Sequence, residues 1–465
     1  MPGRRETTVN RAEDPMSDLF ACAASLLMDE FTQSSAKPDA RILLEALGYA
    51  EAGVAAGGGE ADSRNRNRAC LLKAASRFKR VFELAAPDAP GLISFGAQFD
   101  PGLADPLHAG SPIVGVSGVG LSLQEAFQGC IGEGVEYLSQ LQTANDVLVT
   151  SAEGDPATAL GPSGRDLVAA LAARRLRPDA GLSWCRATRL SDRCEALLPA
   201  DLCLRRPPTQ QEVTPPFPLS TGSAAGTSWD AAALHGMLEL IERDAASLWW
   251  QGGSRATSIP PGDEAQTMAD ALLAQLRQGA SARRSWLLDI TTDIGVPCVA
   301  AVSCMEDGFG FAFGLAARPT LRAAARAAVL EMCQGELAHA VVEAKLRERG
   351  EAALNARDRI HRRSATMLNA DRCALLQPGP QRSRHVAIAA TDPGTVLRLI
   401  VARLEQFGIE AFGLDLTRPQ FAIPVARVIA PGLQPLPSEI MTPRLSDMIA
   451  QTGGGLTYTE GIALI

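Results

Sequence analysis

Lysine is almost missing from this chain: Lys37, Lys73, Lys79 and Lys345 are the only ones among 44 basic residues. No Gly-Lys-Ser/Thr step occurs, which excludes a P-loop as the means of holding a nucleotide. There is no uninterrupted apolar run of membrane-spanning length, so no transmembrane helix and no membrane partner are expected. The first twenty residues, MPGRRETTVNRAEDPMSDLF, have early arginines but no apolar stretch after them, unlike a secretory signal, and a cytoplasmic location is the expectation. A formal charge of −8 gives no general attraction for nucleic acid. The ten cysteines form no C-x-x-C pair; Cys185, Cys194 and Cys203 are regularly spaced, but no nearby histidine completes a zinc pattern. Reduced, mostly buried thiols are expected instead.

What remains is a chain of 465 residues, 46% hydrophobic and 21% charged, long enough for a sizeable core and for two or three domains. Up to about residue 110 the apolar spacing is helical in ACAASLLMDEF, ARILLEALGYAEA and ACLLKAASRFKRVFELA, with GVAAGGGEADSRNRNR as a loop between the last two. From SPIVGVSGVG onward strands and helices alternate. The short apolar segments PIVGVSG, SWLLDITT, VPCVAAVSCM, GFAFGLAA, EAFGLDLT and VARVIAPGL read as strands. Long helices are predicted over 122–142, 228–248 and 319–346, with another at TVLRLIVARLEQFG. The Pro-rich RRPPTQQEVTPPFPLSTGSAAG is a loop that delivers the chain to the central helix. The pattern is that of an α+β protein without the regular crossover rhythm of a barrel. It divides into a helical region of unknown role (1–110), a main domain (111–445) and a tail (446–465).

The three long helices share a constellation. Anchored on Glu133, Glu239 and Glu331, each has a good N-cap eleven residues earlier (Ser122, Ser228, Thr320) and an alanine seven residues earlier (Ala126, Ala232, Ala324). Three residues later stand Glu136, Glu242 and Gln334. Residues three apart lie on one helix face, so each pair forms a pincer, and the triple occurrence reads as an internally repeated device. A lone E-x-x-E is ordinarily a solvated surface pair. Gathering four or five carboxylates costs on the order of 4 kcal/mol per like-charged pair at about 4 Å and an effective dielectric near 20. Something positive must sit between them: Arg243 is one candidate, and Mg²⁺, which takes carboxylate oxygens and bridges to phosphates, is the stronger one.

These segments resemble the YcaO family. STGSAAGTSWDAAALHGMLELIERDA is similar to that family's S-N-G-x-A-x-G followed by A-x-x-E-x-x-E-R, and GVGLSLQEAFQGCIGEGVEYLS to its earlier G-x-G followed by S-x-x-E-x-x-E-R. RAAVLEMCQGE resembles the third, E-x-x-Q motif, and LDLTRPQFAIPVARVIAPGL the late D-x-T, Pro-Val and P-G-L pattern. The motifs stand in the family's order from about Pro112 to Arg444. The resemblance implies a YcaO-like fold whose repeated helix and sheet units enclose a nucleotide site, with ATP and Mg²⁺ as cofactors. Its members use ATP to phosphorylate a backbone amide oxygen of a ribosomally made precursor peptide. A Cys, Ser or Thr side chain then gives an azoline, whereas sulfide gives a thioamide.

By that resemblance Glu133, Glu136, Glu239, Glu242 and Glu331 would bind metal, and these five with Ser220, Thr221, Arg243 and Gln334 would hold the nucleotide. Arg243, Glu239 and Glu242 would carry catalysis. His235, four residues before Glu239, could line the same face, although packing is the simpler reading. The chain departs from the family at Gly129, where Ser is usual, at Tyr137, where Arg is usual, and at Thr221, where Asn is usual. It also ends GGGLTYTEGIALI, where members that pair with a docking protein commonly end in Pro-x-Pro-x-Pro. Azoline and thioamide chemistry therefore both stay open, as does a non-catalytic scaffold or binding module for a leader peptide or partner protein. A docking or sulfur-transfer partner is implied, and a homodimer is compatible with the helical N-terminal region.

Overall fold

A computed structural model describes residues 15–28, 38–49, 59–150, 160–177, 181–379, 385–386 and 388–464. Helices α1 (Pro15–Leu27), α2 (Pro38–Ala46) and α3 (Gly59–Ala75) lead into strands β1 (Arg80–Glu83), β2 (Ile93–Phe99) and β3 (Val114–Gly120), then α4 (Leu123–Gln140). Next come β4 (Val149–Thr150), α5 (Pro162–Ala172), β5 (Ser183–Arg189), β6 (Glu195–Pro199), α6 (Ala200–Cys203), β7 (Ser223–Ala225) and α7 (Trp229–Trp250). The third stretch is α8 (Glu264–Arg277), β8 (Arg284–Asp289), β9 (Cys298–Cys304), β10 (Ala312–Ala317) and α9 (Leu321–Arg349). The chain finishes with α10 (Ala356–Met367), α11 (Pro393–Glu405), β11 (Phe412–Asp415), β12 (Val425–Ile429), α12 (Pro443–Thr452) and α13 (Leu456–Thr459).

Among the described residues three antiparallel sheets form, ordered β1-β2-β3, β10-β9-β8 and β4-β5-β11-β12-β7, with β6 also paired to β5. The six strands and four long helices expected from sequence are all present, and the α+β class holds. Strand β9 shows why its sequence, CVAAVSC, has no polar alternation. Cys298, Ala300 and Val302 face the core around α7 and α11, while Val299 and Ala301 face α8 and α9. With both faces covered, a strand reads as a continuous apolar run.

The N-terminal third differs from expectation. Of ACLLKAASRFKRVFELA only the part up to Ala75 is helical, and Arg80–Glu83 instead pairs with β2. The polar SRNRNR, expected in a loop, lies inside α3, where arginine has good helix propensity and Arg64 and Arg66 are exposed to water. Residues 29–31 and 50–58, parts of the expected helices and loop, lie outside the described residues. Strand β2 pairs with β3 along its whole length, from Ile93 opposite Gly120 to Phe99 opposite Val114. At the other end the tail is packed onto α7: the Trp250 indole N–H donates to the Ile462 carbonyl at 2.8 Å. Among the described residues no helix is long and apolar enough to cross a membrane.

Candidate active site: three strand and helix units around a cleft of carboxylates

Each long helix leaves its strand through a turn of two or three residues (β3 to α4, β7 to α7, β10 to α9). Ser122, Ser228 and Thr320 cap them by accepting from the backbone N–H of Glu125, Ala231 and Ala323. Ala126, Ala232 and Ala324 are fully buried, as close packing of helix on strand requires. The repeat extends to the anchoring glutamates, each of which accepts a backbone N–H from the segment before its helix. Glu133 accepts from Ser117 at 3.3 Å, Glu239 from Gly222 at 3.0 Å and Glu331 from Leu315 at 3.2 Å. Gly222 is required there: its φ is +86°, and a Cβ would lie 2.4 Å from the Val428 carbonyl oxygen.

The three helices bring the predicted acids together. Glu133 feels the charges of Glu239 and Glu331, Glu136 those of Glu239 and Glu133, and Glu242 those of Glu331 and Glu239. Burial holds protons on them: Glu133 is pushed up to about 7 and Glu242 to about 8, while Glu136 and Glu331 also rise, with the neighbouring carboxylates adding to the effect. Glu133 is exposed to solvent although protein surrounds its carboxylate on most sides. Arg243 answers part of this charge, with Nη1 3.2 Å from Glu242 and Nη2 3.5 Å from Glu239. Its own proton is held more tightly than usual by Glu242, Glu239 and Glu331, against the opposing effect of burial.

Glu336, five residues beyond Glu331 on the same helix, shows how this fold treats a structural acid. It is buried against Arg277 and Arg283 together and accepts from the Ser303 hydroxyl. One carboxylate there has two arginines in contact; among the described residues of the site, Glu239 and Glu242 share Arg243, and Glu133, Glu136 and Glu331 touch no cation. The cleft is thus acid-rich by construction. Among the described residues no three His, Cys, Asp or Glu side chains close on one ion by themselves. That donor set suits a hard cation that takes one or two carboxylates and completes its shell with water and phosphate oxygens.

The remaining predicted residues frame the cleft. Ser220 and Thr221 sit in the loop wrapped over α7, immediately before Gly222, and Thr221 is buried. Gln334 donates from Nε2 to the Ser117 hydroxyl at 2.9 Å, so the third unit is tied to the strand that serves the first. His235 lies on the water-reached side of α7, 3.5 Å from the Ala225 carbonyl oxygen; burial and the charge of Arg318 lower its proton affinity. Ser117, Arg205, Arg318 and Arg427 were not singled out from sequence. Arg318 lies in range of Glu242 and Glu331, and Arg205 and Arg427 in range of Glu136. Arg427 is fully buried, with its guanidinium donating to the carbonyls of Leu202 and Thr221. A charged residue inside the buried strand VARVI is the signal that could have found it.

Glutamates on three capped helices, in a chain without a P-loop, have the donors by which divalent cations would bridge to phosphate. The family model described as YcaO cyclodehydratase, ATP- and Mg²⁺-binding, matches residues 117–434, more than half of the chain. The chain belongs to the YcaO family. It is 27% identical over 230 residues to an uncharacterized protein in the tfuA 3′ region of Rhizobium leguminosarum bv. trifolii, covering 46% of this chain and 52% of that relative. The chain thus spans about half the length of the curated relative it matches. Among solved structures it is similar to a heterocyclase in complex with substrate and cofactor, with 23% identity, a TM-score of 0.64, and coverage of 85% of this chain and 55% of that one. It is also similar to YcaO from Methanopyrus kandleri bound with AMPPCP and Mg²⁺, with 19% identity, a TM-score of 0.56, and coverage of 81% and 91%. At these identities the structural likeness speaks to the fold.

Proposed function

We propose that this chain is an ATP- and Mg²⁺-dependent enzyme that activates backbone amides of a ribosomally made precursor peptide, with cyclodehydration to azolines as the leading outcome. The observation that carries the reading is the surplus of acid: five glutamates from three helices feel one another's charge, and among the described residues only Glu239 and Glu242 have a cation, Arg243, in contact. The cyclodehydratase description of the family model and the heterocyclase fold relative support the same reaction class. Bound Mg²⁺ and ATP would supply the phosphoryl group that turns the amide oxygen into a departing phosphate. Glu133, Glu136, Glu239, Glu242 and Glu331 offer the oxygen ligands, and the fixed N–H donors from Ser117, Gly222 and Leu315 aim three of them. Ser220 offers a hydroxyl at the loop, and Arg243 stabilises negative charge that develops during transfer. Thioamide formation differs only in the nucleophile and would draw on a sulfur-transfer partner; a docking partner would present the peptide in either case.

The test is to incubate the protein with precursor peptides encoded beside it, with and without neighbouring partner proteins, ATP and Mg²⁺, and to weigh the product. Cyclodehydration removes about 18 Da per Cys, Ser or Thr, whereas replacement of oxygen by sulfur adds about 16 Da. Absence of both mass changes, together with no peptide-stimulated ADP, sinks the enzyme reading and leaves the scaffold alternative.

A further inference from the structure

Position four beyond the anchoring glutamate is Arg243 in α7 but Tyr137 in α4. From sequence the first pincer therefore lacks a fixed positive charge. The structure supplies charge from elsewhere: Arg357 lies in range of Glu133, and Arg205 and Arg427 lie in range of Glu136. The guanidinium of Arg205, in the segment after α6, lies 4.7 Å from the centre of the Tyr137 ring, a cation–π arrangement. Its Nε donates to Gln140 Oε1 at 2.8 Å, and Gln140 Nε2 donates to Glu136 Oε1 at 3.1 Å, so one amide links the arginine to the pincer. The backbone fixes the same register: Arg205 N–H donates to the Gln140 carbonyl at 2.7 Å, and Gln142 N–H to the Arg205 carbonyl at 3.0 Å. Among the described residues the two terminal nitrogens of Arg205 take no hydrogen-bond partner. Arg427, the other cation in range of Glu136, has its donors committed to backbone carbonyls.

We propose that Arg205 is the positioning cation of the first pincer, held in place by the Tyr137 ring and Gln140, and that it supplies from another segment the charge that Arg243 gives the second pincer from its own helix. This rests on the reading that the glutamate cleft holds ATP and Mg²⁺. On this view Tyr137 is half of a two-residue replacement for an arginine, and the site keeps a cation on each glutamate pair.

The experiment is calorimetric titration of the intact protein with AMPPCP and Mg²⁺, for wild type, Arg205→Gln, Tyr137→Arg and the double variant, with melting temperatures recorded alongside. Arg205→Gln keeps a donor for Gln140 while removing the charge, and should weaken binding at least about tenfold, the scale of one charged contact. Adding Tyr137→Arg to it should restore most of that affinity, because position 137 stands to Glu133 as Arg243 stands to Glu239. A purely structural role would lower the melting temperature and would not be rescued by a charge on α4. Unchanged affinity in Arg205→Gln, or loss without rescue in the double variant, overturns the proposal while leaving the nucleotide site standing. No binding by the wild type overturns the site reading and the role of Arg205 with it.

Discussion

The pincers on α4 and α7 occupy equivalent places in the fold but are assembled differently. On α7 everything lies within about one helical turn: Arg243 touches both Glu239 and Glu242, and the neighbouring loop contributes an N–H from Gly222. On α4 the pair Glu133 and Glu136 is completed by Ser117 from β3, Gln140 from the helix end and Arg205 from a distant segment. A local motif and a dispersed one can therefore deliver similar electrostatics. The difference lies in what each tolerates, since the compact pincer is broken by any one change and the dispersed one has several weaker supports.

Chelation should have the largest effect, because it acts on both pincers alike. In excess EDTA, stabilisation of the fold by AMPPCP, about 2.7 kcal/mol at a hundredfold excess over Kd, should vanish in a thermal melt. Retained stabilisation would show that the acids are not bridged to phosphate through metal. Next, Arg243→Ala should reduce peptide-dependent ATP turnover by about a hundredfold or more, the usual scale for one lost charge-stabilising donor. A smaller loss than that of Arg205→Gln would reverse the ranking of the two pincers. Third, calorimetry on Glu239→Gln and Glu133→Gln should show the greater loss of nucleotide affinity at Glu239, which lies beside Arg243. Equal binding curves for Glu239→Gln and wild type would remove any metal role from that glutamate.

The pH dependence separates the pincers more gently. Glu242 and Glu133 bind protons more tightly in the fold than the ordinary carboxyl near 4.5, up to about 8 and about 7 respectively. Their contribution to stability is complete below about pH 4.5 and is lost as pH rises through those values. The metal-free protein should therefore melt at progressively lower temperature from pH 5 to pH 8. Glu242→Gln should flatten that fall across the whole window and Glu133→Gln only its lower part; a fall identical in both variants and wild type would break the assignment. The smallest effect is expected from Ser117→Ala, which removes the hydroxyl that receives Gln334 but keeps the backbone donor to Glu133. A few-fold loss of affinity is predicted, on the scale of one neutral hydrogen bond of about 1 kcal/mol.

The same contrast explains what could be read from the sequence. Strands β3 and β8 to β12 and helices α4, α7, α9 and α11 announce themselves through periodicity and caps, and the anchors Glu133, Glu239 and Glu331 through their common phase. Strand β1 was hidden because RVFE follows a helical run without a Gly or Pro between them, and only pairing with β2 selects the extended form. Strands β5 and β6 were hidden by exposed arginine and glutamate on their outward faces. Arg205 could not be found from local spacing at all, since its relation to Tyr137 exists only after α6 has returned the chain to the end of α4. Compact chemistry leaves a motif; chemistry shared among distant segments leaves only isolated residues.

The sheet that joins β1 and β2 to β3 bears on modularity. Ser117, which serves both Glu133 and Gln334, sits in the middle strand-to-strand register opposite Gly96. A recombination event, or an engineered swap, with its junction near residue 110 would exchange half of a sheet and leave the recipient with an unpaired edge beneath its first pincer. A graft that keeps Arg80 to Gln140 together preserves this sheet and the α4 glutamates, but Arg205 and Gln334 must come from the recipient, and Phe127 of α4 must still find the partner that Phe20 of α1 gives it here.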